Sequence, residues 1–208
     1  MKTTVVHALF NNHAAADRAY QALLVEGFDK DDISVLTRAE ALETMDKEKE
    51  PSAADAAEGA GLGALAGGAT GGLLGVLAGI GAIAIPGLGP VLATGAASAA
   101  LASAMGGAGV GAAVGGIVGA ASALAIPEEE AHVYAEGIRQ GGVLVVVDTP
   151  EAQAGTARAV LEQNGALDTE RIQAAWRERG WEKYSPDAQE TTLPLTFEDL
   201  EEDARTDW

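Results

Sequence analysis

The sequence has no cysteine, which excludes disulfides, thiolate metal sites and cysteine nucleophiles and leaves the redox compartment open. Aromatic residues make up only 4%, three each of Phe, Tyr and Trp, against 27 glycines, so a large core built on bulky side chains is not expected. Bases are scarce too. The 13 Lys and Arg face 31 Asp and Glu, a formal net charge of −18 that argues against nucleic acid as a partner, because one polyanion repels another. No G-K-[ST] sequence occurs, so a P-loop is excluded.

The charge that is present is unevenly placed. Residues 1–58 hold 12 acids and 6 bases, residues 128–208 hold 19 acids and 7 bases, and the 69 residues from Gly59 to Pro127 hold no Asp, Glu, Lys, Arg or His. This block contains 20 Gly and 21 Ala. It is several times longer than the ~20 residues that cross a bilayer as a helix, so transmembrane helix and membrane lipid are the first expectation for it. The insertion signal is tempered by composition, since Ala is near neutral and Gly unfavourable in a lipid-facing helix. No secretory signal precedes the block: the apolar run Val5–Phe10 is short and meets Asn11, Asn12 and His13 directly. The expected location is the cytoplasm or the cytoplasmic side of the inner membrane, without secretion.

Within the block, Gly59, Gly63, Gly67, Gly71, Gly75 and Gly79 stand in strict i+4 register, and Gly107, Gly111, Gly115 and Gly119 form a second series. A helix with glycine at every fourth position presents a groove free of side chains, into which another backbone can pack closely. These ten glycines are therefore the predicted helix-packing sites of a glycine zipper, with a second copy of the chain as partner. Ile85-Pro86-Gly87-Leu88-Gly89-Pro90 breaks the block after a helix of up to 27 residues.

The flanks read as two halves of one α+β domain. Thr3–Phe10 is β-branched and aromatic, Asn11 or Asn12 can cap a helix Ala14–Glu26 closed by Gly27, and Ile33–Thr37 follows as a strand. In that helix Ala16, Ala19, Tyr20, Leu23 and Leu24 make an apolar stripe. Beyond an acidic stretch, 39–58, and the block, Pro127 opens a helix whose Glu128, Glu129 and Glu130 suit the positive end of the helix dipole; Gly141-Gly142 ends it. Val143–Val147 is apolar at every position, so it should be a central strand buried on both faces. Pro150–Asn164 reads as an amphipathic helix. Ala166–Ile172 can supply a fourth strand, or Glu170–Arg179 can continue as helix. The order β-α-β, insertion, β-α-β matches a ferredoxin-like split βαβ sandwich interrupted between its second and third strands. The divisions are 1–38, 39–58, 59–127, 128–181 and an acidic tail, 182–208. The tail carries 9 acids and 2 bases, and its apolar islands at Leu193-Pro194-Leu195 and Phe197 leave docking and a solvated tail as alternatives.

The combination of the N-terminal strand-helix-strand, the Gly/Ala zipper, Ile126-Pro127-Glu128-Glu129-Glu130-Ala131 leading to Tyr134, Gly141-Gly142-Val143-Leu144 and Trp176-Arg177-Glu178-Arg179-Gly180-Trp181 resembles the bacterial general-stress-protein-like family. The resemblance covers roughly residues 1–184. It implies a stress-related structural or membrane-associated role and brings no catalytic residues with it.

Chemistry-bearing patterns are few. Gly59–Ala64 and Gly61–Ala66 fit G-x-G-x-x-A, but no strand precedes them and no acid follows until Glu128, as a dinucleotide site requires. His132 with Glu128 and Glu129 at i−4 and i−3 can be read as a metal site or as a solvated helix face. Trp176 and Trp181 can sit at a membrane interface or pack on the α+β domain. No nucleophile, acid/base pair or ligand cluster stands out, so no catalytic, metal or cofactor site is expected. Two functions remain: a non-enzymatic stress protein whose zipper helices oligomerise in or against a membrane, and a ligand-sensing or interaction module that the zipper multimerises.

Overall fold

A computed structural model describes residues 3–39, 83–85, 88–106, 118–121, 124–185 and 197. The elements are β1 (Thr3–Phe10), α1 (His13–Val25), β2 (Ile33–Arg38), β3 (Ile83–Ile85), β4 (Gly89–Ala93), α2 (Gly95–Gly106), α3 (Glu128–Arg139), β5 (Val143–Pro150), α4 (Ala154–Gln163) and α5 (Thr169–Glu178). The fold class is α+β. The strands form one sheet in the order β1-β5-β2-β4-β3, and every neighbouring pair is antiparallel.

The two charged flanks share this sheet. β5 lies between β1 and β2, with Leu144 opposite Leu9 on one side and Leu36 on the other. All five residues Val143–Val147 are buried, as their unbroken apolar run requires. Val143, Val145 and Val147 face α1 and α4, while Leu144 and Val146 face α3 and α5. The stripe Ala16, Ala19, Tyr20 and Leu23 closes the first face. Asn12 is the residue that caps α1, its Oδ1 accepting from Ala15 N at 2.9 Å.

The middle of the Gly/Ala block belongs to the same sheet. Residues Ile83–Ile85 and Gly89–Ala93 make a hairpin around the Pro86-Gly87 break, and β4 pairs with β2 through Leu36↔Ala93, Thr37↔Leu92 and Arg38↔Val91. Past this ladder the chain stays fastened to β2: Thr94 N donates to Val35 O at 2.9 Å, and Val35 N donates to Thr94 Oγ1 at 2.8 Å. Ser34 Oγ then accepts from Ala97 N at 3.3 Å, satisfying a donor at the start of α2 that has no partner within its own helix.

Three expectations differ from the structure. The first helix of the block cannot run to Ile85, because 83–85 is strand; β-branched isoleucines alternate with Ala84 there, and Pro86 disfavours the helical conformation at the residue before it. Nor is a transmembrane helix present: among the described residues no helix is long and apolar enough to cross a membrane. The 12 residues of α2 reach only ~18 Å of the ~30 Å hydrocarbon thickness, and the preceding hairpin has its backbone groups committed to the sheet. Thr169–Glu178 is helix, so Ala166–Ile172 does not provide a fourth strand; a single bond from Leu167 N to Leu9 O, at 2.8 Å, is what touches β1 there.

Candidate functional site

The buried ion pair and the His7–Tyr134–Glu130 hydrogen-bond chain lie on the α3/α5 face. Alternation along β1 turns Val5, His7 and Leu9 toward that face, and α3 approaches closely because Gly137 carries no side chain where Leu9 lies. One turn earlier on α3, Tyr134 therefore comes within reach of His7. Its hydroxyl lies 2.7 Å from His7 Nδ1 and donates to Glu130 Oε2 at 3.1 Å. Burial holds His7 below its ordinary pKa, against the opposing pull of the Glu130 carboxylate, while Arg158 adds to the lowering. Burial and Glu130 together push the Tyr134 phenol well above its ordinary range. The hydrogen-bonded chain His7–Tyr134–Glu130 fastens β1 to α3.

At the other end of α3 an ion pair is buried. Arg139 grips Glu136 through Nη2 at 2.8 and 2.9 Å and through Nε at 3.1 Å, with the two side chains 5% and 1% exposed. Arg38, at the end of β2, donates from Nη1 to Arg139 O at 2.7 Å. Tyr184 packs among these groups, and burial pushes its phenol up to about 12.

Beside the ion pair is an aromatic slot. The pair Trp176 and Trp181 is explained by the way α5 ends: Gly180 takes φ +90°, Trp181 N donates to Trp176 O at 3.0 Å and Gly180 N to Arg177 O at 3.0 Å. This is a Schellman cap, whose accompanying apolar contact is the one between the two indoles, 5.2 Å apart and edge-on. The same cap ends α1, α3 and α4 at Gly27, Gly141 and Gly165. The tryptophans pack on the α+β domain. Phe197, from the acidic tail, lies on Trp176 with ring centroids 6.5 Å apart, and 93% of it is buried because only 7% is exposed.

Of the predicted helix-packing glycines, Gly59, Gly63, Gly67, Gly71, Gly75, Gly79, Gly107, Gly111 and Gly115 lie outside the described residues, as do both G-x-G-x-x-A matches. Gly119 is half-buried in a short helical stretch, 118–121. The three histidines are not brought together. His13 is buried with Nε2 3.1 Å from Thr37 Oγ1, and its Nδ1 has no partner. His132 is half-buried on α3. Among the described residues no group of three or more His, Asp or Glu is arranged to hold a metal ion. The Glu136–Arg139 pair stood in the sequence as an ordinary i, i+3 helix pair, with nothing local to say that it would be covered. Phe197 was visible as an apolar island in an acidic stretch; its seat on Trp176 was not.

No protein-family model, curated protein or solved structure matches the chain.

Proposed function

We propose that the chain is a non-enzymatic, stress-related assembly protein, in which the Gly/Ala block associates with the block of a second copy on a frame supplied by the α+β domain. One observation carries this reading: the centre of the charge-free block, Ile83–Ala93, is paired into the same sheet as the flanks. Gly79 precedes β3 by four residues and Gly107 directly follows α2, so both glycine series are tethered close to a folded frame. A glycine in water costs about 1 kcal/mol of helix stability relative to Ala, a cost that close approach of another backbone offsets. The order β1-β5-β2, with α1 joining two parallel strands across β5, supports a ferredoxin-like split βαβ frame into which the block is inserted between β2 and β5. The stress association rests on the motif resemblance. With −18 overall and no basic cluster beside the block, any lipid contact in this reading is apolar and peripheral, and nucleic acid is not a partner.

Replacing Gly67 and Gly71 together by Leu tests the reading. The expected outcome is a loss of oligomer mass in native mass measurements with the amide spectrum of the frame unchanged, because bulk in the groove blocks the partner backbone. Leu62→Ala with Leu65→Ala should leave the mass nearly as it is. Unchanged mass for the Gly→Leu pair would reject self-association through the glycines.

A further inference from the structure

We infer that the open edge of β1 is a self-association site, at which two copies of the chain pair their β1 strands antiparallel about a two-fold axis centred on Val5. β1 is one edge of the sheet and β3 the other. On the split βαβ reading of the frame, β1-α1-β2 straddles β5, and a matching second unit would lay the strand after α4 along the free side of β1. The chain turns away instead. Leu167 N donates to Leu9 O at 2.8 Å, the first bond of such a pairing, and Asp168 then caps α5, its Oδ1 accepting from Arg171 N at 3.0 Å. Among the described residues no strand lies along that side of β1.

Which groups are open follows from the alternation of an antiparallel strand, whose successive residues turn their N–H and C=O to opposite sides. Val35 spends both of its groups on Thr94, so Val145 opposite it turns its own toward Ala8 of β1. Thr4 and Val6 are in step with Ala8 and face β5. Thr3, Val5, His7 and Leu9 therefore face outward, as the bond at Leu9 O shows independently, and among the described residues no hydrogen bond reaches the backbone of Thr3, Val5 or His7 from that side. Long edges are ordinarily protected by charge, proline or a bulge. The 8 residues of β1 include no Lys, Arg, Asp, Glu or Pro, and their register with β5 is unbroken, whereas β3 is 3 residues long and ends at Pro86.

The geometry selects a second copy as the occupant. Leu167 closes the edge at Leu9, so a partner strand can use Thr3, Val5 and His7, and the two-fold that uses all three sets Val5 opposite Val5 and Thr3 opposite His7. Each residue brings one donor and one acceptor, giving roughly six hydrogen bonds with none of these groups left over. With no acid or base in Thr3–Phe10, the pairing sets no like charges opposite each other. This contact lies in β1 and stands independently of self-association through the glycines.

Amide exchange on the full wild-type chain, followed across a wide range of concentration, tests the pairing. The amides of Val5 and His7 should be protected in concentrated solution and exchange about ten-fold faster on dilution, while those of Val6 and Ala8, bonded to β5, keep their protection. Fast exchange at Val5 and His7 at every concentration would overturn the proposal. So would protection that ignores dilution, because the edge would then be covered by a segment of the same chain. In a mixture of isotope-labelled and unlabelled chains, the α-protons of Thr4 and Val6 should meet across the two copies, since these residues form the close, non-hydrogen-bonded pair of this register. Contact between a different pair would overturn the axis at Val5. Val5→Pro removes a donor that faces outward and spares the bonds to β5. The chain carrying Gly67→Leu and Gly71→Leu should still be a dimer at concentrations that protect Val5, and adding Val5→Pro should convert it to monomer in native mass measurements. A monomer before Val5→Pro is added, or a dimer that survives it, would overturn the edge pairing; if the proline variant does not fold, the exchange on the wild-type chain decides.

Discussion

On the face of the sheet that carries α1 and α4, cover comes from helices that directly follow the strands they protect: α1 follows β1 and α4 follows β5. That face is made of Val6, Ala8, Phe10, Val143, Val145 and Val147 under Ala16, Ala19, Tyr20, Leu23 and Leu161. The α3/α5 face draws its cover from much farther along the chain. Leu88, Val91, Ala97, Ala121, Leu124 and Ile126 come from the Gly/Ala block and Phe197 from the tail. It also holds the buried ion pair and the His7–Tyr134–Glu130 chain. The difference separates two kinds of stability. The first face rests on local amphipathic segments, whereas the second depends on distant pieces being brought back and on polar groups staying paired.

Breaking the ion pair should cost most. Arg139→Ala strands a carboxylate that is 1% exposed, and urea denaturation should show a loss of about 4 kcal/mol, while Glu136→Leu with Arg139→Met should lose much less because no charge is left unpaired. On the other face, Leu23→Ala should cost about 3 kcal/mol, the usual result of leaving a cavity in a packed apolar layer. A reversal of that order would mean that the second face is not sealed.

Acid should weaken both faces together. His7, His13 and His132 are all held below the ordinary value of 6.5, chiefly by burial, so the folded state binds fewer protons than the unfolded one. The stability they contribute is fully present above pH 6.5 and is lost as pH falls through their lowered folded values. The denaturation midpoint should therefore drop on going from pH 7 to pH 5, and His13→Gln should flatten the drop by removing the histidine whose Nδ1 is buried without a partner. A midpoint that rises on acidification contradicts this. The smallest effect is at the cap of α1: Asn12→Ala should lose about 1 kcal/mol, with the oligomer mass unaffected.

How much of this could be read from the chain follows the same division. The stripe on α1, the Gly27, Gly141 and Gly165 stops and the doubly buried Val143–Val147 are consequences of period and turn chemistry within a few residues, and all are present. The hairpin at Ile83–Ala93 was hidden because Pro86 and Pro90 cut it into apolar runs too short to show a period, and the pairing of its second strand with β2 is what fixes it in the sheet. Tyr134 could not be matched with His7 across 127 positions, since their contact depends on Gly137 letting α3 settle onto Leu9. Trp176 and Trp181, legible only as aromatics five residues apart, acquire their meaning from the left-handed Gly180 between them.

If the middle of the Gly/Ala block is a working part of the α+β sheet, amide hydrogen exchange followed residue by residue will show it. Ala39 N, which donates to Pro90 O at 2.8 Å, and Val35 N, which donates to Thr94 Oγ1 at 2.8 Å, should exchange only through the same cooperative unfolding that exposes Val145 in β5. The ladder amides of β4 opposite Leu36–Arg38 should follow them. Rapid, unprotected exchange at Val35, Ala39 and residues 91–93, with β1 and β5 still protected, would show instead that the block folds apart from the sheet.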